Sequence, residues 1–113
     1  MTEQTQTILT LLREVPLFSG LTIEELEQLT EEFVMVVLPK DEVLYRVKET
    51  TDGLFVIDSG QLALLDEEGK QQDVLKRAEV IGAEALNYLP VREESAVAIT
   101  DAQVYFLPNK QIR

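Results

Sequence analysis

The chain has 113 residues, 45% hydrophobic and 27% charged, a composition that suits one globular domain with its own core and excludes a disordered chain. It contains no cysteine and no histidine, which excludes disulfide frameworks, thiolate nucleophiles, imidazole bases and the usual zinc or copper ligands. Its formal net charge is −11, so nucleic acid and anionic membrane are disfavoured as partners.

The N-terminal MTEQTQT lacks the basic and apolar pattern of a secretion signal, and no apolar run approaches the roughly 20 residues that cross a bilayer. A cytoplasmic location, with no membrane contact, is expected. Residues 5–15, TQTILTLLREV, place Ile8, Leu11, Leu12 and Val15 at helical spacing. Pro16 and Gly20 then bracket a tight connection. TIEELEQLTEEF follows, opening on a capping box of Thr22 with Glu25. Ile23, Leu26, Leu29 and Phe33 line its apolar face, while Glu24, Glu25, Glu27, Glu31 and Glu32 form a solvated face.

After residue 33 the period changes. VMVVLP, EVLYRV, GLFVIDSG, QLALLD, DVLKRA and AQVYFLP are short apolar or alternating runs. Turn residues bound most of them: Pro39, Asp41, Asp52-Gly53, Ser59-Gly60 and Glu68-Gly69. DEEGK reads as a hairpin loop with Gly69 at positive φ, and SGQ at 59–61 reads similarly. Many short strands at near-regular spacing predict an antiparallel sandwich or barrel. GAEALN stands apart, because its small, helix-favouring residues predict one helical turn inside the β region.

Four pieces in order carry a resemblance: PLFSGLTIEELEQL, then DGLFVIDSGQLAL, then IGAEAL with Arg92 ten residues past Gly82, then DAQVYFLP. Together they resemble the cyclic nucleotide-binding domain family, as in catabolite activator-type regulators and the regulatory subunits of cyclic-nucleotide-dependent kinases. The resemblance runs from about residue 14 to 112. It implies an α+β, mainly β domain over residues 1–113: helices in 1–33, an eight-stranded jelly-roll-like antiparallel β-barrel (a double-stranded β-helix) in 34–108, and the start of a truncated C-terminal helix at 109–113. A short helix-containing cassette is expected at 82–95. The implied ligand is a cyclic nucleotide, cyclic AMP or cyclic GMP. The family's final helix, carrying the signal or the dimer contact, would follow the last strand, so the implied partners are an output domain beyond residue 113 or a second copy.

In the resembled cassette a glycine-led turn offers backbone N–H groups to the cyclic phosphate, an arginine neutralises it, and a glutamate accepts from the ribose 2′-hydroxyl. Gly82 takes the glycine position, Ala85 and Leu86 the small-leucine pair, and Arg92 the arginine. Asp101, Val104, Leu107 and Pro108 then fall into register without a gap. The chain departs from the pattern at Ala83, which stands where the ribose glutamate belongs, with Glu84 one residue late and expected to point elsewhere. Glu93 and Glu94 stand where the family carries small residues beside the phosphate. Asp41 and Lys48 replace two loop glycines. In a register shifted by one residue, Glu84 would take the glutamate position and Glu94 the arginine's, leaving the phosphate no cation. In both registers the site is degenerate, so ligand binding is expected to be weakened or lost.

Read without the family, Arg92 is a surface arginine paired with Glu93 or Glu94, and Gly82 a strand-to-helix turn. Ser95 is a phosphate donor or the start of a strand, and Tyr88 and Leu89 are ligand cover or apolar packing. An enzyme is not expected: Glu67-Glu68 and Glu93-Glu94 are adjacent rather than facing, Ser19, Ser59 and Ser95 have no histidine to activate them, and no calcium-loop pattern or cofactor motif occurs. Two alternatives to a small-molecule-sensing regulatory module stay open: a structural or dimerisation module without ligand, and the sensory half of a transcription factor.

Overall fold

The computed structural model describes residues 2–84 and 90–109. Helix α1 spans Glu3–Leu12 and helix α2 spans Ile23–Thr30, separated by a 3-10 turn at Pro16–Phe18. The strands are β1 (Val34–Leu38), β2 (Val43–Tyr45), β3 (Gly53–Ser59), β4 (Leu62–Leu65), β5 (Gln71–Leu75), β6 (Val80–Ile81), β7 (Ser95–Ala98) and β8 (Ala102–Pro108). They form two four-stranded sheets, ordered β1-β8-β3-β6 and β2-β7-β4-β5, with every pairing antiparallel. This is the expected mainly β, jelly-roll-like architecture behind two helices.

Side-chain alternation along the central strands explains the layering. In β3, Phe55 and Ile57 join Leu62, Ile81, Ala96, Ala98 and Val104 between the sheets. Leu54 and Val56 face the other way and pack with Tyr105 and Leu107 against Ile8, Leu11, Leu12, Val15, Phe18 and Leu26. The central strand β3 is thus covered on both faces, which is why GLFVI reads as a continuous apolar run. The 3-10 turn carries Phe18 edge-on to Phe33, with ring centres 6.3 Å apart.

The capping box closes as expected: Thr22 N–H donates to Glu25 Oε1 at 2.8 Å, and Glu25 N–H to Thr22 Oγ1 at 3.1 Å. Three expectations need correction. Val15 lies beyond the end of α1 and Phe33 beyond α2, although both are buried. Ile23, expected on the apolar face, is 40% exposed, whereas Leu26, one turn on, is buried in the helix-side core. Gly60 and Gly69 take positive φ, but only Gly69 lies in a hairpin, between β4 and β5; SGQ, expected to be a second hairpin, instead carries the chain from β3 in one sheet to β4 in the other. Asp41 and Lys48 also take positive φ, at 76° and 73°. The two glycine-replaced loops keep a left-handed turn without glycine.

Candidate functional site

Strand β6 is two residues long and pairs with β3, placing Ile81 opposite Phe55. Gly82 follows at φ 82°, and a Cβ there would collide with Nη1 of Arg92. Glycine is therefore required twice, for the turn and for the close approach. A short helical turn begins at Ala83 and Glu84; Ala85, Leu86, Tyr88 and Leu89 lie outside the described residues. On the far side of the cassette, residues 90–92 run antiparallel to 48–51. Arg92 N–H donates to Glu49 O at 2.7 Å, Lys48 N–H to Arg92 O at 2.8 Å, and Thr51 N–H to Pro90 O at 3.1 Å. The backbone of Arg92 is pinned by the same loop that contains the left-handed Lys48.

From there the side chain turns inward and is 1% exposed. Nη1 donates to Gly82 O at 3.3 Å and to Glu84 Oε1 at 3.0 Å. Nη2 donates to Asp52 Oδ1 and to Gly53 O, both at 2.8 Å. The guanidinium carbon lies 4.3 Å from the ring centre of Tyr45 and 5.7 Å from that of Phe55, a stacking geometry with favourable cation–π attraction. Nε is buried and has no partner among the described residues. A buried guanidinium needs countercharge. Two carboxylates provide it here, Glu84 from inside, with its side chain 12% exposed, and Asp52 from the rim, 69% exposed.

The surface reading of Arg92 is therefore overturned: the residue is buried, and its ion pairs among the described residues are with Asp52 and Glu84 rather than Glu93 or Glu94. Glu84, expected to point elsewhere, turns to the arginine because burial of that cation makes a nearby carboxylate its best partner. Arg92 reaches Gly82, ten residues away. Glu93 is exposed and Glu94 half-buried. Burial first, and then the charges of Glu84, Glu93, Asp73 and Asp66, raise the Glu94 carboxyl above its ordinary value. Ser95 opens β7, and its Oγ accepts from Val47 N–H at 2.9 Å.

Asp52 and Tyr45 were not singled out in the sequence. Asp52 looked like a turn residue beside Gly53, and Tyr45 like one alternation of a short strand; their convergence on Arg92 spans 40 residues or more and leaves no local signal. Burial, and next the Glu84 carboxylate, hold the Tyr45 phenol well above its ordinary value against the opposing pull of Arg92. The phenol stays neutral. Among the described residues no group of three or more acids is arranged to hold a metal ion, and no helix is long and apolar enough to cross a membrane.

Helices on a two-sheet jelly roll, with a buried arginine reaching a glycine turn at the end of a short strand, define a jelly-roll β-module with a glycine-led cassette. A model of the cyclic nucleotide-binding domain family matches residues 35–113. The chain belongs to that family and is a module of the cyclic nucleotide-binding type. Among solved structures it is similar to the regulatory subunit of a cAMP-independent protein kinase A from Trypanosoma brucei, with TM-score 0.88 and 19% identity over 96% of this chain and 40% of that one. It is also similar to cAMP-bound PfPKA-R, with TM-score 0.86 and 28% identity over 98% and 41%. The sensor domain of the transcriptional regulator DNR from Pseudomonas aeruginosa gives TM-score 0.85 and 22% identity over 98% and 77%. The chain thus spans about two fifths of the two kinase regulatory subunits. No curated protein sequence matches it.

Proposed function

We propose that this domain is a regulatory, small-molecule-sensing module whose hold on cyclic nucleotide is weakened, and that it catalyses nothing itself. The observation that carries this reading is the state of Arg92, whose side chain among the described residues already makes four hydrogen bonds, to Glu84, Asp52 and the carbonyls of Gly82 and Gly53. Cyclic AMP-bound and cAMP-independent proteins both occur among the similar folds, so residues at the cup, rather than the fold, decide affinity. Ala83 has no carboxylate for a ribose hydroxyl, and a hydrogen bond to a charged group contributes about 1.5–3 kcal/mol. A carboxylate near 5 Å from a phosphate opposes it by a few kcal/mol at an effective dielectric of about 20. Together these two effects amount to about 3–5 kcal/mol, a weakening of about two to four decades in dissociation constant.

In this reading the phosphate favours one arrangement of the cassette, Gly82 to Ser95, and that preference shifts the population read by whatever lies beyond β8. An output domain or a second copy would receive the signal. A second reading, a scaffold without ligand, is favoured by the double neutralisation of Arg92. Thermal unfolding with cyclic AMP and cyclic GMP separates the two. Weak binding predicts a rise in Tm of about 1–3 °C at a few millimolar nucleotide. A rise of about 10 °C or more contradicts weakened binding, and no rise with either nucleotide selects the scaffold.

A further inference from the structure

We infer that Glu84 is a tethered anion that holds Arg92 in place of a ligand's anionic group, and so lowers the affinity of this site for such ligands. The inference rests on the reading of Arg92 as the anion ligand. Three observations carry it. Glu84 lies two residues past Gly82, on the turn that would present backbone N–H groups to an anion, and its Oε1 sits 3.0 Å from Nη1. That is the same nitrogen that contacts Gly82 O.

Of the two carboxylates on the guanidinium, Asp52 is 69% exposed and approaches Nη2 from the rim, whereas the Glu84 side chain is 12% exposed. An incoming anion can join Asp52 at the rim, but it must compete with Glu84 for the buried side. The tether makes that competition unequal: Glu84 is bound intramolecularly, so a free ligand works against its effective concentration.

The surroundings hold Glu84 in. Glu93 and Glu94 follow Arg92 directly, and Glu94 is half-buried with its field coupled to Glu84, Asp73 and Asp66. A Glu84 carboxylate released from Arg92 would lose its cation while staying among acids. Nε, buried and without a partner among the described residues, is the donor a competing anion can use while Glu84 still holds Nη1. Displacement can therefore begin at Nε before the ion pair opens.

The test is a calorimetric titration of the whole chain, wild type, Glu84→Ala and Glu84→Gln, with cyclic AMP and separately with inorganic phosphate. Glu84→Gln keeps the shape and loses only the charge, so it covers the case in which the alanine variant fails to fold. Either folded variant should bind at least one of the two probes about tenfold or more tighter than wild type. A gain for phosphate alone supports the tethered anion and contradicts the cyclic-nucleotide reading; a gain for both supports the two together. Folded variants with unchanged affinity for both probes overturn the inference and make the pair purely structural. In the wild type, the Arg92 side-chain ¹⁵N signals should show restrained rotation of Nη1 that Glu84→Gln relaxes. Freely rotating Nη1 in the wild type also overturns it.

Discussion

At the scale of single residues, the chemistry gathers around one buried cation among many acids. Arg92 draws Glu84 and Asp52 to itself, while Glu94, two residues along and without an ion-pair partner among the described residues, bears the cost of that crowding. Its carboxyl is raised above 4.5 by burial first and by neighbouring acids second. The sign follows from linkage. A carboxyl whose folded value lies above its unfolded value contributes most to stability when protonated, below about 4.5, and that contribution is lost as pH rises through the folded value. At neutral pH the ionised Glu94 is therefore a strained charge. Glu94→Gln should raise Tm by about 1–3 °C at pH 7, and the difference should vanish below about pH 4.5. Thermal unfolding of both chains across pH 4–7 checks this; an equal Tm at pH 7, or a difference that grows on acidification, contradicts it. Glu14 runs the other way. Its hydrogen bond to Arg77 lowers its carboxyl, so its contribution is present above 4.5 and lost as pH falls through the lowered value.

At the scale of elements, the loops carry more strain than the strands. Asp41, Lys48 and Ala78 take φ of 76°, 73° and 70°, where an L-residue costs about 1–2 kcal/mol. The Lys48 turn matters most, because its N–H holds the carbonyl of Arg92. Lys48→Gly should stabilise the chain by about 0.5–1 kcal/mol, the left-handed penalty less the entropy that glycine adds to the unfolded state. The lost Lys48–Glu67 pair is exposed and contributes little. Urea unfolding measures the change, and a loss of stability would place the strain elsewhere. Much at this scale was legible in the sequence. The capping box of α2, the Gly60 and Gly69 turns and the six apolar runs are local signals, decided by residues within a few positions of one another. Strand β6 was not legible, because Val80-Ile81 is too short to show a period. The exposure of Ile23 depends on where α2 lies on the sheet, which its own amphipathic pattern does not encode. The strut of Arg77 to Glu14 and Asp58, both at 2.7 Å, joins the segment just after α1 to the β-sandwich across 63 and 19 residues, and no spacing announces it.

At the scale of the whole molecule, family membership, fold and cup form a consistent account. Order and spacing of four short motifs sufficed for the architecture, because a jelly roll is set by strand lengths and turn positions that many sequences share. Affinity is set by a few side chains, and there the sequence alone misdirected: Glu84 was expected to face away, and Asp52 passed as a turn residue. Both errors have one cause. A buried guanidinium recruits whichever carboxylates the fold brings near, and nearness, across 8 residues for Glu84 and 40 for Asp52, is a property of the folded chain. The weakness proposed for nucleotide binding then has two local sources, a missing ribose acceptor at Ala83 and a competing carboxylate at Glu84. The measurement that tests this most directly is a calorimetric titration of cyclic AMP into the wild-type chain and into a chain carrying Ala83→Glu with Glu84→Ala. The account predicts a dissociation constant near the millimolar range for wild type and one about a hundredfold tighter for the double variant. Micromolar binding by wild type, or a folded double variant that binds no better, would contradict it.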